Sequence, residues 1–289
     1  VDSHCPIDEG NDMIDPGLEG KAVLITGANN PFGIGAGIAR AFAVQGARVF
    51  LSYLCESPEM YSVSEEEAKE AITPSEAFGR YQNSQNADRV IREIRESGGQ
   101  IEAMELNLAQ TEQIPRLFDA VEETFGQVDV LVNNAAHCMY PDNVLDTTAE
   151  RIDRHFAINT RAIVLTMQEF GIRHIRARRT WGRIINISTD SYIHLGNTAY
   201  GASKHAMESY TRAAAHELGP YGVTVNIVSP GPVQTGYYDK ATVKADGCRI
   251  PLRRIGRPED IANAIVFFAS NQACWITGQR LYVGGGHNM

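Results

Sequence analysis

Short apolar runs alternate with helix-length segments along most of this chain, and few folds accept that pattern. Lys21-Ala22-Val23-Leu24-Ile25-Thr26 reads as a short buried strand. A Gly-rich turn follows, then a helix from about Gly35 to Gln45, then a second strand from Ala47 to Tyr53. Strand, helix and strand within so few residues make a βαβ unit. After residue 85 the rhythm resumes: helix 86–97, strand 101–106, helix 111–125, strand 128–132 and one long helix at about 149–177. Strand 183–188, helix 199–218, strand 223–228, helix 258–269 and strand 280–283 complete it. This order predicts an α/β fold, a doubly wound parallel sheet with helices on both faces. At 289 residues, a single domain over 18–289 is expected rather than two. Residues 1–17 read as a polar arm. Residues 55–85 break the alternation and read as an insertion, mostly loop, with one short acidic helix at 64–71 that Pro74 limits.

Composition removes several classes of partner. The formal net charge of −9 argues against nucleic acid. No apolar run approaches a membrane span in length. No basic stretch followed by an apolar one opens the chain, so no secretory signal is read and a cytoplasmic location is expected. Cys5, Cys55, Cys138, Cys248 and Cys274 are odd in number and scattered. They suit neither a disulfide framework nor a zinc site, so free thiols in a reducing compartment and no metal are expected.

Two motifs carry chemistry. Tyr200 and Lys204, four apart, share one face of a helix. A free tyrosine titrates near ~10. A neighbouring ammonium favours the phenolate, so the pair suits acid/base work at a carbonyl or an alcohol. Taken alone, the pair reads rather as a partly buried aromatic beside a solvated lysine, and the rest of the chain reverses those odds. The second motif, Thr26-Gly27-Ala28-Asn29-Asn30-Pro31-Phe32-Gly33-Ile34-Gly35, joins the first strand to the first helix. Glycines there permit a tight turn and close approach to a pyrophosphate, and the helix N-terminus offers free N–H groups. That position makes a dinucleotide the expected ligand.

With these residues the chain resembles the classical short-chain dehydrogenase/reductase family over roughly 18–286, and within it the branch of 3-oxoacyl-(acyl carrier protein) reductases. Thr26, Gly27, Gly33 and Gly35 match the family's Thr-Gly-x-x-x-Gly-x-Gly with two extra residues between Gly27 and Gly33. Asn133-Asn134-Ala135-Ala136 matches its Asn-Asn-Ala-Gly, and Asn159 its catalytic asparagine. Pro230-Gly231-Pro232-Val233-Gln234-Thr235 matches its Pro-Gly segment. The resemblance implies a Rossmann-type sheet. It implies cofactor contacts at Gly27, Asn29, Phe32, Gly33, Ile34, Gly35, Tyr53, Asn107, Leu108, Asn133, Ala135, Pro230, Gly231, Val233 and Thr235. It further implies that Tyr200 donates a proton as hydride arrives from nicotinamide. Lys204 would lower the tyrosine pKa and hold the nicotinamide ribose, and Asn159 would support a proton relay through water.

Three points stay open at this level. The family serine lies thirteen residues before the tyrosine, which here is Ile187, so the role falls to Thr189 or Ser188. Motif matching favours Thr189 and distance favours Ser188, and the two alternate faces of a strand. Family members that choose NAD commonly end the second strand on an acidic residue, and Tyr53 stands there, with Glu56 beyond it. NADP(H) is therefore favoured over NAD(H), with Arg80 and Arg89 read as surface charges. The substrate is the third point. Residues 188–196 and 137–140, with His137 and His194 as ordinary loop histidines, should border it under a short mobile lid at 237–250. The basic run 172–179 reads as a solvated helix cap rather than a dock for an acidic carrier. Reduction of a ketone, led by a 3-oxoacyl thioester, is expected. The alternatives are an NAD(H)-dependent dehydrogenase of steroid, polyketide or sugar-type alcohols and a non-catalytic dinucleotide sensor. A homo-oligomer, dimer or tetramer, is expected through helices 149–177 and 199–218 and the stretch 274–279.

Overall fold

The computed structural model describes residues 15–191 and 195–288. Nearly all of the expected N-terminal arm, and His194, lie outside them. The chain runs β1 (Ala22–Thr26), α1 (Ile34–Val44), β2 (Arg48–Tyr53), α2 (Glu65–Glu70), α3 (Glu76–Ser84), α4 (Asp88–Glu96), β3 (Gln100–Glu105) and α5 (Gln113–Phe125). It continues through β4 (Val130–Asn133), α6 (Ala149–Phe156), α7 (Ile163–Arg176), β5 (Gly182–Ile187) and α8 (Thr198–Leu218). β6 (Val223–Pro230), α9 (Lys240–Arg249), α10 (Pro258–Ala269) and β7 (Arg280–Val283) follow. The seven strands form one parallel sheet in the order β3-β2-β1-β4-β5-β6-β7.

Strand periodicity sorts the core into two layers. Val23, Ile25, Val130 and Val132 face one side, where Phe42 of α1, Ile94 of α4 and Phe268 of α10 pack. Leu24 and Leu131 face the other, against Phe118 of α5, Phe170 of α7 and Met207 of α8. Each layer seals one face of the sheet, as continuous apolar strands require. The strand order reverses between β1 and β4, and a doubly wound sheet opens its binding crevice at the carboxyl ends of the strands flanking such a point.

Three local readings need correction, and the lid segment gains a helix that the sequence reading did not address. The long helix expected at 149–177 is two α-helices joined by a π-helical turn over Ala157–Ala162. The insertion is not mostly loop: α3 is a second helix, capped by the Ser75 hydroxyl, and Val63, Ala68 and Ala77 give the segment a small core of its own. The lid region contains α9, whose first turn is capped by the Asp239 carboxylate accepting from the Thr242 N–H at 2.7 Å. Cys274 is disulfide-bonded, whereas Cys55, Cys138 and Cys248 are free. Spacing along the chain does not limit distance in space, so scatter was no argument against one pair.

Candidate active site

The Gly-rich turn is held against the end of β4. Gly27 has φ +70°, and a Cβ there would lie 2.6 Å from the Ala135 Cα, so only glycine fits. Asn134 Nδ2 donates to the carbonyls of Thr26 and Gly27 at 2.9 and 2.7 Å. The Thr26 hydroxyl accepts from the N–H groups of Asn134 and Ala135. At the start of α1, Gly33 caps without a side chain and the first turn holds no acidic residue. Free N–H groups and the positive end of the helix dipole therefore face the crevice, a site for an anionic phosphate.

Two cavities open here, of about 250 Å³ along the Gly-rich turn and about 230 Å³ in front of Tyr200. They share Ile34, Asn134, Ala136 and Thr235 as walls. Of the expected cofactor positions, only Phe32 and Asn133 stand in neither wall. The Asn133 side chain is consumed inside the fold, donating to Asn186 Oδ1 and accepting from the Thr166 hydroxyl, each at 2.8 Å. Phe32 turns outward against Phe78, with ring centroids 5.4 Å apart. Asn134 and Ala136, Glu56 and Asn83 of the insertion, and Tyr237 wall the first cavity, and none was named as a cofactor contact from sequence.

α8 presents the acid/base pair. The buried Asp142 carboxylate accepts from the Ala199 N–H at 2.7 Å and caps the helix one residue before Tyr200. Lys204 is buried, and its ammonium donates to the Ile187 carbonyl at 2.8 Å. Burial lowers its pKa to about 8. Burial also pushes Tyr200 well above the ordinary phenol range, reinforced by Cys138, Asp190 and Tyr238. Desolvating the phenolate outweighs an ammonium whose Nζ sits 5.9 Å from the ring centroid.

Ser188 and Thr189 point to different work. The Ser188 hydroxyl donates to Glu208 Oε1. Glu208 pairs with Arg280 at 2.9 Å, and Arg280 in turn donates to the Thr189 carbonyl. Ser188 and Thr189 both line the second cavity beside Tyr200 and Lys204, so the engagement of the Ser188 hydroxyl with Glu208 is what separates them. Asn159 sits in the π-helical turn, fully buried. Its amide exchanges two hydrogen bonds with the His137 backbone, both 2.8 Å, and donates to the Ser203 hydroxyl at 3.0 Å. Asn159 therefore reaches the cavity only through its neighbours. His137 is a loop histidine as read, buried and 3.5 Å from the Tyr61 hydroxyl, and desolvation lowers its pKa to about 4.

At the adenosine end, Tyr53 closes β2, and Glu105, its register partner on β3, accepts from the Cys55 N–H at 3.2 Å. Arg89 is exposed as read, pairing with Glu93 at 2.9 Å while its guanidinium lies 5.0 Å from the Phe32 ring centroid. Arg80 is not a surface charge. It is largely enclosed, 3.4 Å from the Tyr61 ring centroid and 5.2 Å from that of Tyr237. In the basic run, Arg173 pairs with Glu169, Asp119 and Glu122, and Arg179 with Asp129.

A family model described as enoyl-(acyl carrier protein) reductase matches residues 76–288. The chain is 32% identical over 270 residues to an uncharacterized oxidoreductase, YjdA, of Bacillus subtilis, covering 92% of this chain and 96% of that one. It is 30% identical over 287 residues to versicolorin reductase stcU of Emericella nidulans, covering 93% and 96%. The chain belongs to the short-chain dehydrogenase/reductase family. Among solved structures, a blue fluorescent protein from a metagenomic library, in complex with NADPH, superposes with a TM-score of 0.75 at 28% identity, covering 94% of this chain and 99% of that one. As a short-chain dehydrogenase/reductase, the protein is an NAD(P)-dependent oxidoreductase acting on CH–OH groups and the corresponding carbonyls. The open N-terminus of α1 and the glycine-lined crevice fit such a dinucleotide.

Proposed function

We propose that this protein reduces a ketone to a secondary alcohol, with NADP(H) preferred over NAD(H). The observation that carries this reading is the Tyr200–Lys204 pair, the lysine buried and the tyrosine half-buried, opening onto a cavity that shares walls with the glycine-lined crevice. Bound nicotinamide supplies the hydride. Tyr200, kept protonated by its burial, gives its proton to the substrate oxygen as the carbonyl carbon is reduced. The Thr189 hydroxyl holds that oxygen, and the Lys204 ammonium stabilises negative charge developing on it. Asn159 orders the backbone of His137 and the α8 residue Ser203. A 3-oxoacyl thioester is the leading substrate. A polyketide-type ketone is the second reading, favoured by the similarity to versicolorin reductase. An NADPH-oxidation screen of acyl thioesters beside cyclic and aromatic ketones separates the two. Tight NADPH binding without turnover of any ketone would instead indicate a dinucleotide sensor.

The cofactor preference has a direct check. NADPH is expected to exceed NADH in kcat/KM by at least about tenfold, or ~1.4 kcal/mol. Tyr53 places no carboxylate at the strand end, so nothing there repels a 2′-phosphate. A preference for NADH would assign the ribose to the insertion, through Glu56, a carboxylate in the wall of the first cavity.

A homotetramer is the proposed assembly. An open groove of about 800 Å³ on the α6–α8 face is lined by Phe156, Val164, Leu165 and Tyr210. It is larger than either cavity of the site, yet none of the expected site residues lines it. On a second face Trp275 is 96% exposed, and Leu252 is largely exposed. Apolar patches of this kind mark contact surfaces. Light scattering at low micromolar concentration is expected to return four chains; the mass of one chain would contradict the assignment.

A further inference from the structure

The insertion between β2 and α4 does not lie idle on the surface. Its helix α3 crosses the first cavity and touches both banks. On one bank, Asn29 Nδ2 donates to the carbonyls of Asn83 and Gln85, each at 2.8 Å, and Asn30 Nδ2 donates to Asn83 Oδ1 at 3.0 Å. On the other bank, Asn83 Nδ2 donates to the Tyr237 hydroxyl at 3.0 Å, and the Ser75 N–H to the Gly236 carbonyl at 3.0 Å. Gly79 lets the helix lie flat on Tyr237, since a Cβ there would come within 2.7 Å of the ring. Both ends of the Asn83 amide are thus used, one toward each bank. The two residues by which the Gly-rich turn exceeds its usual length are matched by a pair of asparagines, Asn29 and Asn30, that hold this strap.

We infer that α3 is a strap over the dinucleotide site and that Asn83 is its latch, a positioning residue whose opening sets the rate of cofactor exchange. This rests on the reading of the first cavity as the NADP(H) site. A dinucleotide laid from Tyr53 to Tyr200 passes the Asn83 end of α3, because Asn83 and Tyr237 are walls of the same cavity as Gly33 and Tyr53. Both entry and exit then wait on the contacts that join α3 to the two banks. A barrier of that kind slows association and dissociation together. A simple binding contact slows dissociation only.

The experiment is stopped-flow NADPH binding and displacement on the full-length protein, followed by nicotinamide fluorescence. The variants are Asn83→Ala, Tyr237→Phe and their combination. Tyr237→Phe keeps the ring against Gly79, so it serves if Asn83→Ala folds poorly by its thermal midpoint. Expected are about tenfold increases in both rate constants for Asn83→Ala and about fivefold for Tyr237→Phe. The dissociation constant should stay within about threefold, and the double variant should be no faster than Asn83→Ala. Faster dissociation alone, with affinity falling in proportion, would overturn the latch and make Asn83 a cofactor contact. Unchanged rates would overturn the strap. Failure of the unmodified protein to bind NADPH would overturn the cofactor reading itself, and this inference with it.

Discussion

Tyr200→Phe is expected to lower kcat by ~10²–10⁴ while leaving NADPH affinity within about threefold. The substitution removes one oxygen and little else. The ring stays packed, Asp142 still caps α8 through the Ala199 N–H, and Lys204 still donates to the Ile187 carbonyl. What disappears is the proton donor. Burial holds that proton on the phenol, so in the unsubstituted enzyme it leaves only for an acceptor placed against it, the reduced substrate oxygen. Steady-state kinetics with a ketone found in the screen, beside a fluorescence titration of NADPH, separates chemistry from binding. A variant with most of its activity would remove Tyr200 from the mechanism. A large loss of NADPH affinity would mean that the hydroxyl serves the cofactor rather than the substrate.

The adjacent hydroxyls give the second large effect. Thr189→Ala is expected to cost at least ten times more kcat than Ser188→Ala, about 1.4 kcal/mol of transition-state stabilisation. Ser188 is already committed to Glu208, in a buried group completed by Arg280. Its loss leaves Glu208 one donor short, so Ser188→Ala should lower stability by roughly 1–3 kcal/mol, read as thermal midpoint, with kcat little changed. Thr189→Ala should show the reverse split: both residues line the cavity, but the Ser188 hydroxyl is turned to Glu208. If Ser188→Ala proves the slower enzyme, the catalytic hydroxyl moves to Ser188. Two harmless substitutions would leave Ser191 or a water to hold the oxygen.

Much of this was legible in the chain. The strands were readable because a sheet covered on both faces demands continuous apolar runs, as Ala22–Ile25 and Val130–Val132 provide. The Ser188/Thr189 alternative followed from strand alternation and needed only the direction of one side chain. What escaped was tertiary. Glu76–Ser84 carries a glycine and several polar residues, and nothing local advertises a helix that is held from outside by Tyr237 and the Gly-rich turn. The π-helical turn that aims Asn159 inserts no unusual residue. Asp142 caps α8 from 57 residues away. The direction of the Tyr200 shift depended on how completely the ring is buried, which a spacing of four residues does not encode. Asn133 matched its motif, yet its side chain answers to Asn186 and Thr166.

The central claim is that hydride reaches a ketone carbon in the cavity before Tyr200. The most direct measurement is turnover of the ketone panel with NADPH carrying deuterium at both C4 positions, with products analysed by mass spectrometry. One deuterium on the carbinol carbon of a secondary alcohol is the result expected, and it should fall with kcat in Tyr200→Phe. Binding of the labelled cofactor with no deuterated alcohol from any ketone would contradict the claim and leave a protein that senses the dinucleotide without using it.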